Sequence, residues 1–122
     1  MPAPVQQNFG AQLAAIQYAL SGQTASLGST TAFTVTTAGF YEVNAAVLCT
    51  TAGSAGTVLV TTNTPKGGTI ATGAASLTVL GTSLGTQLLT YLNAGDAVTY
   101  TTTVAGNVGG QYQVLINATQ QQ

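Results

Sequence analysis

The sequence predicts an all-β protein, a jelly-roll β-sandwich of eight or nine antiparallel strands in one domain. Short runs rich in Thr, Val, Tyr and Leu repeat from residue 16 onward, and β-branched and aromatic residues suit a pleated, half-buried surface. Each run is bounded by glycine or a turn-forming cluster. In the longest run, apolar residues alternate with a mixed set, which is the period of a strand. Eight or nine such strands is the number a two-sheet jelly roll requires.

In chain order, residues 1–10 read as an extended N-terminal arm and residues 11–122 as the jelly-roll domain. Pro2 and Pro4 favour extended backbone, and Gln6, Gln7 and Asn8 are polar. Val5 and Phe9 are the arm's apolar anchors. Residues 9–20 carry two patterns. Phe9, Leu13, Ile16 and Leu20 fall at helical spacing, whereas Ile16, Tyr18 and Leu20 alternate with Gln17 and Ala19. The second pattern is favoured, giving a strand over 16–20.

Further strands are expected over 24–27, 31–36, 40–50, 57–62, 76–80, 86–92, 97–104 and 111–118. The breaks fall at Gly28, Ala38-Gly39, 53–56, 65–68, Gly73, 81–85, 93–95 and 106–110. The strand over 40–50 is the most legible. Tyr41, Val43, Ala45, Val47 and Cys49 form one apolar face, which should meet the core. Phe40, Glu42, Asn44, Ala46, Leu48 and Thr50 form the other, half apolar and half polar. The last strand behaves alike, with Tyr112, Val114 and Ile116 opposed to Gln113, Leu115 and Asn117. Such a mixed second face is the composition of a subunit interface.

Charge is nearly absent: Lys66, Glu42 and Asp96 are the only charged side chains, 2% of the chain against about 25% in ordinary domains. Nucleic acid is an unsuitable partner, since phosphate binding needs clustered Lys and Arg. An anionic membrane surface is unsuitable for the same reason, and no apolar run reaches the ~20 residues of a membrane span. The first residues lack the basic and apolar blocks of a secretion signal. So little charge leaves little repulsion between copies, and the surface reads as one covered by copies of itself or by a partner.

Catalytic chemistry is not expected. The chain has no His, Arg or Trp, so neither a Ser-His-Asp nor a Cys-His arrangement is available. Zinc and calcium sites need more His, Cys or carboxylates than are present. No cofactor is expected. Cys49 lies in an alternating apolar stretch and reads as a buried, inert thiol. Gly39 is expected to permit a tight corner into the long strand, and Gly95 to do so at a hairpin. Asp96 is expected to hold that hairpin's backbone N–H groups.

Two motifs resemble those of a known superfamily. Thr37-Ala38-Gly39-Phe40-Tyr41-Glu42-Val43 is similar to the G-x-Y-x-F/V strand of the tumour-necrosis-factor and complement globular-head proteins. Leu92-Asn93-Ala94-Gly95-Asp96-Ala97-Val98 is similar to their second hallmark, L-x-x-G-D-x-V. The resemblance runs from about Ile16 to Ala118, in the right order. It implies up to ten strands and a homotrimer whose three-fold axis faces the sheet carrying the first motif. Phe40, Ala46 and Leu48 would then line the trimer interface, with Leu115 as a fourth member. The Trp, Arg and calcium-binding acids of the animal proteins are missing, so receptor signalling and metal binding are not implied.

The stretch 20–27, followed by the Gly-Phe-Tyr strand, also resembles small Thr/Gly-rich jelly rolls of bacteriophage structural proteins. That resemblance implies a capsid decoration or head-fibre protein on the outer surface of a virion. Its partners would be itself and the major capsid protein or another virion protein, with Val5 and Phe9 docking on the capsid. The alternatives are a receptor- or glycan-binding tip module of a phage tail or fibre, its specificity in the loops at 53–56, 65–68 and 106–110, and a spore-coat component.

Overall fold

The structure, a computed structural model, describes residues 14–121. The arm over 1–10, with Val5 and Phe9, lies outside the described residues. Nine strands are present among them: β1 (Ala15–Gln23), β2 (Thr30–Thr34), β3 (Gly39–Thr51), β4 (Ala55–Thr64), β5 (Gly68–Ala71), β6 (Ala75–Ser76), β7 (Ser83–Leu92), β8 (Ala97–Val108) and β9 (Gln111–Gln120). One sheet has the order β1-β9-β3-β7; the other has β2-β8-β4-β5, with β6 also on β4. All pairings are antiparallel. The chain alternates between sheets at almost every connection, which is the winding of a jelly roll.

The alternation along β3 becomes burial. Tyr41, Val43, Ala45, Val47 and Cys49 are all buried, as the sequence predicts. They meet Tyr112, Val114 and Ile116 of β9, and Val58, Val60, Val98 and Tyr100 of the facing sheet, in one core. Two hydroxyl contacts cross between the sheets. Tyr18 of β1 meets Tyr100 of β8 at 2.7 Å, and Tyr112 of β9 meets Thr102 of β8 at 2.6 Å. Buried tyrosines thus add area to the core while keeping their polar ends paired. Thr62 Oγ1 is the one buried side-chain oxygen or nitrogen without a partner among the described residues.

Burial raises the pKa of Tyr100, helped by its hydroxyl contact with Tyr18. It also raises those of Tyr41 and Tyr112, the latter partly offset by the hydrogen bond with Thr102. The folded chain therefore holds these protons more tightly than the unfolded chain, whose tyrosines titrate near about pH 10. Their contribution to stability is complete below about pH 10 and is lost as pH rises above it. Melting temperature is accordingly expected to fall above about pH 10 together with the appearance of tyrosinate absorbance. A melting temperature that holds while the buried tyrosines ionise would contradict this.

The observed strands depart from the expected ones in three places. Residues 24–27 form no strand. That segment crosses from the first sheet to the second along β8, and side chains make most of its bonds. Thr102 Oγ1 accepts from Leu27 N at 2.8 Å, Ser26 Oγ accepts from Val104 N at 2.8 Å, and Tyr112 donates to the Ala25 carbonyl at 2.6 Å. Of the strand expected over 76–80, only Ser76 pairs, together with Ala75 before it. Ser76 Oγ then takes the Thr78 N–H at 3.2 Å, and Leu77, fully buried, anchors a turn that carries Val79 and Leu80 into solvent. Conversely, β5 was not expected. Its Gly-Thr-Ile-Ala sequence has weak strand character, and it forms because β4 runs on to Thr64 and offers it an edge.

The two motif turns divide. Gly95 has φ +94° and its N–H bonds to the Val35 carbonyl. Asp96 Oδ2 accepts from Asn93 N at 2.8 Å. The turn and its capping carboxylate are as expected, but it is not a hairpin: it carries the chain from β7 in one sheet to β8 in the other, and the two strands do not pair. Gly39, by contrast, is not in the left-handed region. Its missing side chain makes room for Gln120, against which an added Cβ would fall. Gln120 Oε1 there accepts from Ala14 N at 2.9 Å and its Nε2 donates to the Ala38 carbonyl at 3.3 Å. Gly39 is therefore a clearance for the clamp between β1, β9 and the β2–β3 loop, rather than a corner.

Candidate assembly interface

The two sandwich layers present different outer faces. On the β2-β8-β4-β5 sheet the outward positions are mainly threonine. Thr31, Thr99, Asn63 and Thr69 form one row, and Thr101, Thr61 and Ala71 the next. A threonine face keeps the β-branch that strands favour while presenting hydroxyls to water.

The outer face of the β1-β9-β3-β7 sheet is organised in rows of another kind. Strand register places Ala19, Leu115, Ala46 and Gly85 side by side, an apolar row with small residues. The next row is Gln17, Asn117, Asn44 and Gln87, four amides in line across all four strands. Beyond it lie Ala15, Thr119, Glu42 and Leu89. At that end of the sheet Phe40 pairs with Tyr91, their rings 5.1 Å apart and edge to face. At the opposite end Leu48 lies between Gln113 and Ser83.

The four interface residues named from the sequence therefore share this one face. Leu115 is directly opposite Ala46, and Leu48 is two residues along β3 from Ala46. Phe40 stands apart at the far end and is 56% exposed. Two members were missed. Leu89 and Tyr91 on β7 are 63% and 40% exposed and extend the Phe40 cluster. Alternation alone does not find them, because Leu88 and Leu92 on the opposite side of β7 are equally apolar. Only pairing with Phe40 and Glu42 identifies the outward set.

Glu42 is the only charged side chain on this face; Lys66 and Asp96 sit in turns. No pocket opens among the described residues, and no group of three or more His, Cys, Asp or Glu is placed to hold a metal ion among them. Cys49 is buried and its Sγ lies 3.4 Å from the Thr51 carbonyl. No helix among the described residues is long and apolar enough to cross a membrane.

No protein-family model matches the chain, and no curated protein is detectably similar to it in sequence. Among solved structures it is similar to Eiger TNF from S. frugiperda, at 13% identity and a TM-score of 0.40, over 88% of this chain and 93% of that one. It is also similar to a chain of infectious bursal disease virus Gx strain, at 9% identity and a TM-score of 0.44. That match covers 89% of this chain and 32% of the viral one, so the present chain spans about a third of its length. The jelly-roll assignment rests on the strand order itself.

Proposed function

We propose that the protein is a structural component of a bacteriophage particle, a capsid decoration or head-fibre protein that acts as a homotrimer. The supporting observation is the contrast between its two outer faces. One is a wettable threonine sheet; the other carries Phe40, Ala46, Leu48, Leu89, Tyr91 and Leu115 around a single carboxylate. Phe40, Leu89 and Tyr91 are exposed and Ala46, Leu48 and Leu115 half-buried, and apolar side chains gathered on one sheet face mark a surface for association. The mixture of aromatic, aliphatic and amide groups is that of an interface between separately folded copies. In this reading the four-stranded sheet turns inward to the three-fold axis and the threonine sheet outward.

With one basic and two acidic residues, attachment to a shell draws little on ion pairing, and screening by salt has little to weaken. Purified source particles are expected to retain the protein through washes from low salt to about 1 M salt, where the screening length is about 3 Å. Electron microscopy should place three-fold protrusions of it on the particle surface. Release by moderate salt alone, or absence from purified particles, would refute the virion assignment without touching the trimer.

A further inference from the structure

Among the described residues strand β7 is a sheet edge that nothing covers, and we infer that it pairs with β7 of a second copy across a two-fold axis at Gln87. The direction of its backbone groups follows from two contacts at the ends of β3. Cys49 donates to the Thr82 carbonyl and accepts from Gly81 N, both on the β7 side. The Phe40 carbonyl accepts from Gln121 N, on the β9 side. Successive residues of a central strand alternate between neighbours. Tyr41, Val43, Ala45 and Val47 therefore bond to β7, through their register partners Thr90, Leu88, Thr86 and Leu84. The N–H and C=O groups of Ser83, Gly85, Gln87, Leu89 and Tyr91 consequently point away from the sheet. No hydrogen bond from outside β3 reaches residues 83–92 among the described residues.

Exposed edges are normally blunted by charge, proline, a bulge or short length. The other edges follow this rule. β1 and β2 each carry a register shift, and β5 has 4 residues and β6 has 2. β7 has 10 residues, no register shift, no proline and no charge. Charge, proline, a bulge and short length are all missing from it.

Its sequence is also self-complementary about Gln87. Antiparallel pairing there sets Leu89 against Gly85 of the second copy and Tyr91 against Ser83 of the second copy, large against small at each step. All these positions belong to the outward-pointing set, so each would exchange both hydrogen bonds with its counterpart. The amide row Gln17-Asn117-Asn44-Gln87 would run on into the same row of the second copy, reversed. Amides both donate and accept, so like faces like without repulsion. This contact goes beyond the trimer reading. Face contacts about a three-fold axis close a ring, whereas a two-fold edge contact joins one ring to the next, as a covering layer requires.

Cysteine cross-linking tests this directly. A hydrogen-bonded antiparallel pair has Cα atoms about 5.5 Å apart, within disulfide reach. Mildly oxidised Gln87→Cys is expected to run mostly as a reducible covalent dimer, while the native chain, with Cys49 buried, gives none. Leu89→Cys and Gly85→Cys should each fail alone and cross-link when mixed. Gln87→Pro removes only an outward N–H, so it should keep native circular dichroism and melting while abolishing the edge dimer. Absence of a Gln87→Cys dimer, or equal cross-linking by Leu89→Cys alone, would overturn the pairing. Carrying Gln87→Cys in a Leu48→Asp background separates the two contacts. A covalent dimer that survives loss of the trimer supports an independent edge, and one that vanishes with the trimer overturns it.

Discussion

Sedimentation of the Leu48→Asp chain is expected to show loss of the trimer, leaving nothing larger than the two-fold edge dimer. Leu48 lies on the outer face of β3, beside Gln113 and Ser83 and one row from the Ala46–Leu115 pair. It contributes nothing to the buried core, so the domain should fold with its melting transition little changed. In the assembly, however, every interface would enclose a carboxylate with no cation near it, since Lys66 is the chain's only basic side chain and sits in the β4–β5 turn. An unpaired buried charge costs roughly 3–5 kcal/mol, or about two to four orders of magnitude in affinity per contact. Ala46→Asp should behave alike. An oligomer of unaltered mass in both variants would remove this part of β3 from the interface and with it the main support for the proposed function.

The second large effect is expected at the same end of the sandwich, in the turn that follows β3. Gly53 lies where the β3–β4 turn meets the turn that carries the chain from β8 to β9 in the other sheet. Its N–H bonds to the Leu77 carbonyl at 2.7 Å, and the next N–H, of Ser54, bonds to the Val108 carbonyl at 2.8 Å. A Cβ at Gly53 would fall onto the Val108 carbonyl oxygen and the Gly110 amide. Both are backbone, so no rotamer change relieves the overlap. Gly53→Ala is expected to cost about 3 kcal/mol and to lower the melting temperature by about 10 °C. Gly28→Ala provides the contrast, because its Cβ would meet nothing within 4 Å and its φ is not positive. That variant should melt close to the native chain. Equal melting temperatures for the two variants would mean that the β8–β9 turn adapts freely.

Legibility of the fold tracks how local each decision is. The core face of β3 was readable because Tyr41, Val43, Ala45, Val47 and Cys49 sit at strict period two beside a visibly mixed face. The Gly95-Asp96 turn was readable because its φ requirement and its capping carboxylate are neighbours in sequence, whereas its crossing between sheets was not. The segment 24–27 was misread because its extended backbone is held by Thr102, Val104, Asn107 and Tyr112, about eighty residues away in the chain. Strand β5 was unreadable because its existence depends on the length of β4. The interface was half readable. β3 and β9 announce their mixed faces, while β7 is apolar on both sides and gives no sign of which one turns outward.

By itself, the sequence determined an all-β chain with one strong core face, a nearly uncharged surface and no histidine with which to build a catalytic relay. Alternation, composition and turn residues are local or global sums, and need no knowledge of which strand meets which. Only the tertiary structure decided the partners. It set Leu115 opposite Ala46, aligned four amides across four strands and left the N–H groups of Gly85, Gln87 and Leu89 without a partner among the described residues. Those are properties of register, and register is settled by long-range pairing, where a shift of one residue exchanges the inner and outer faces.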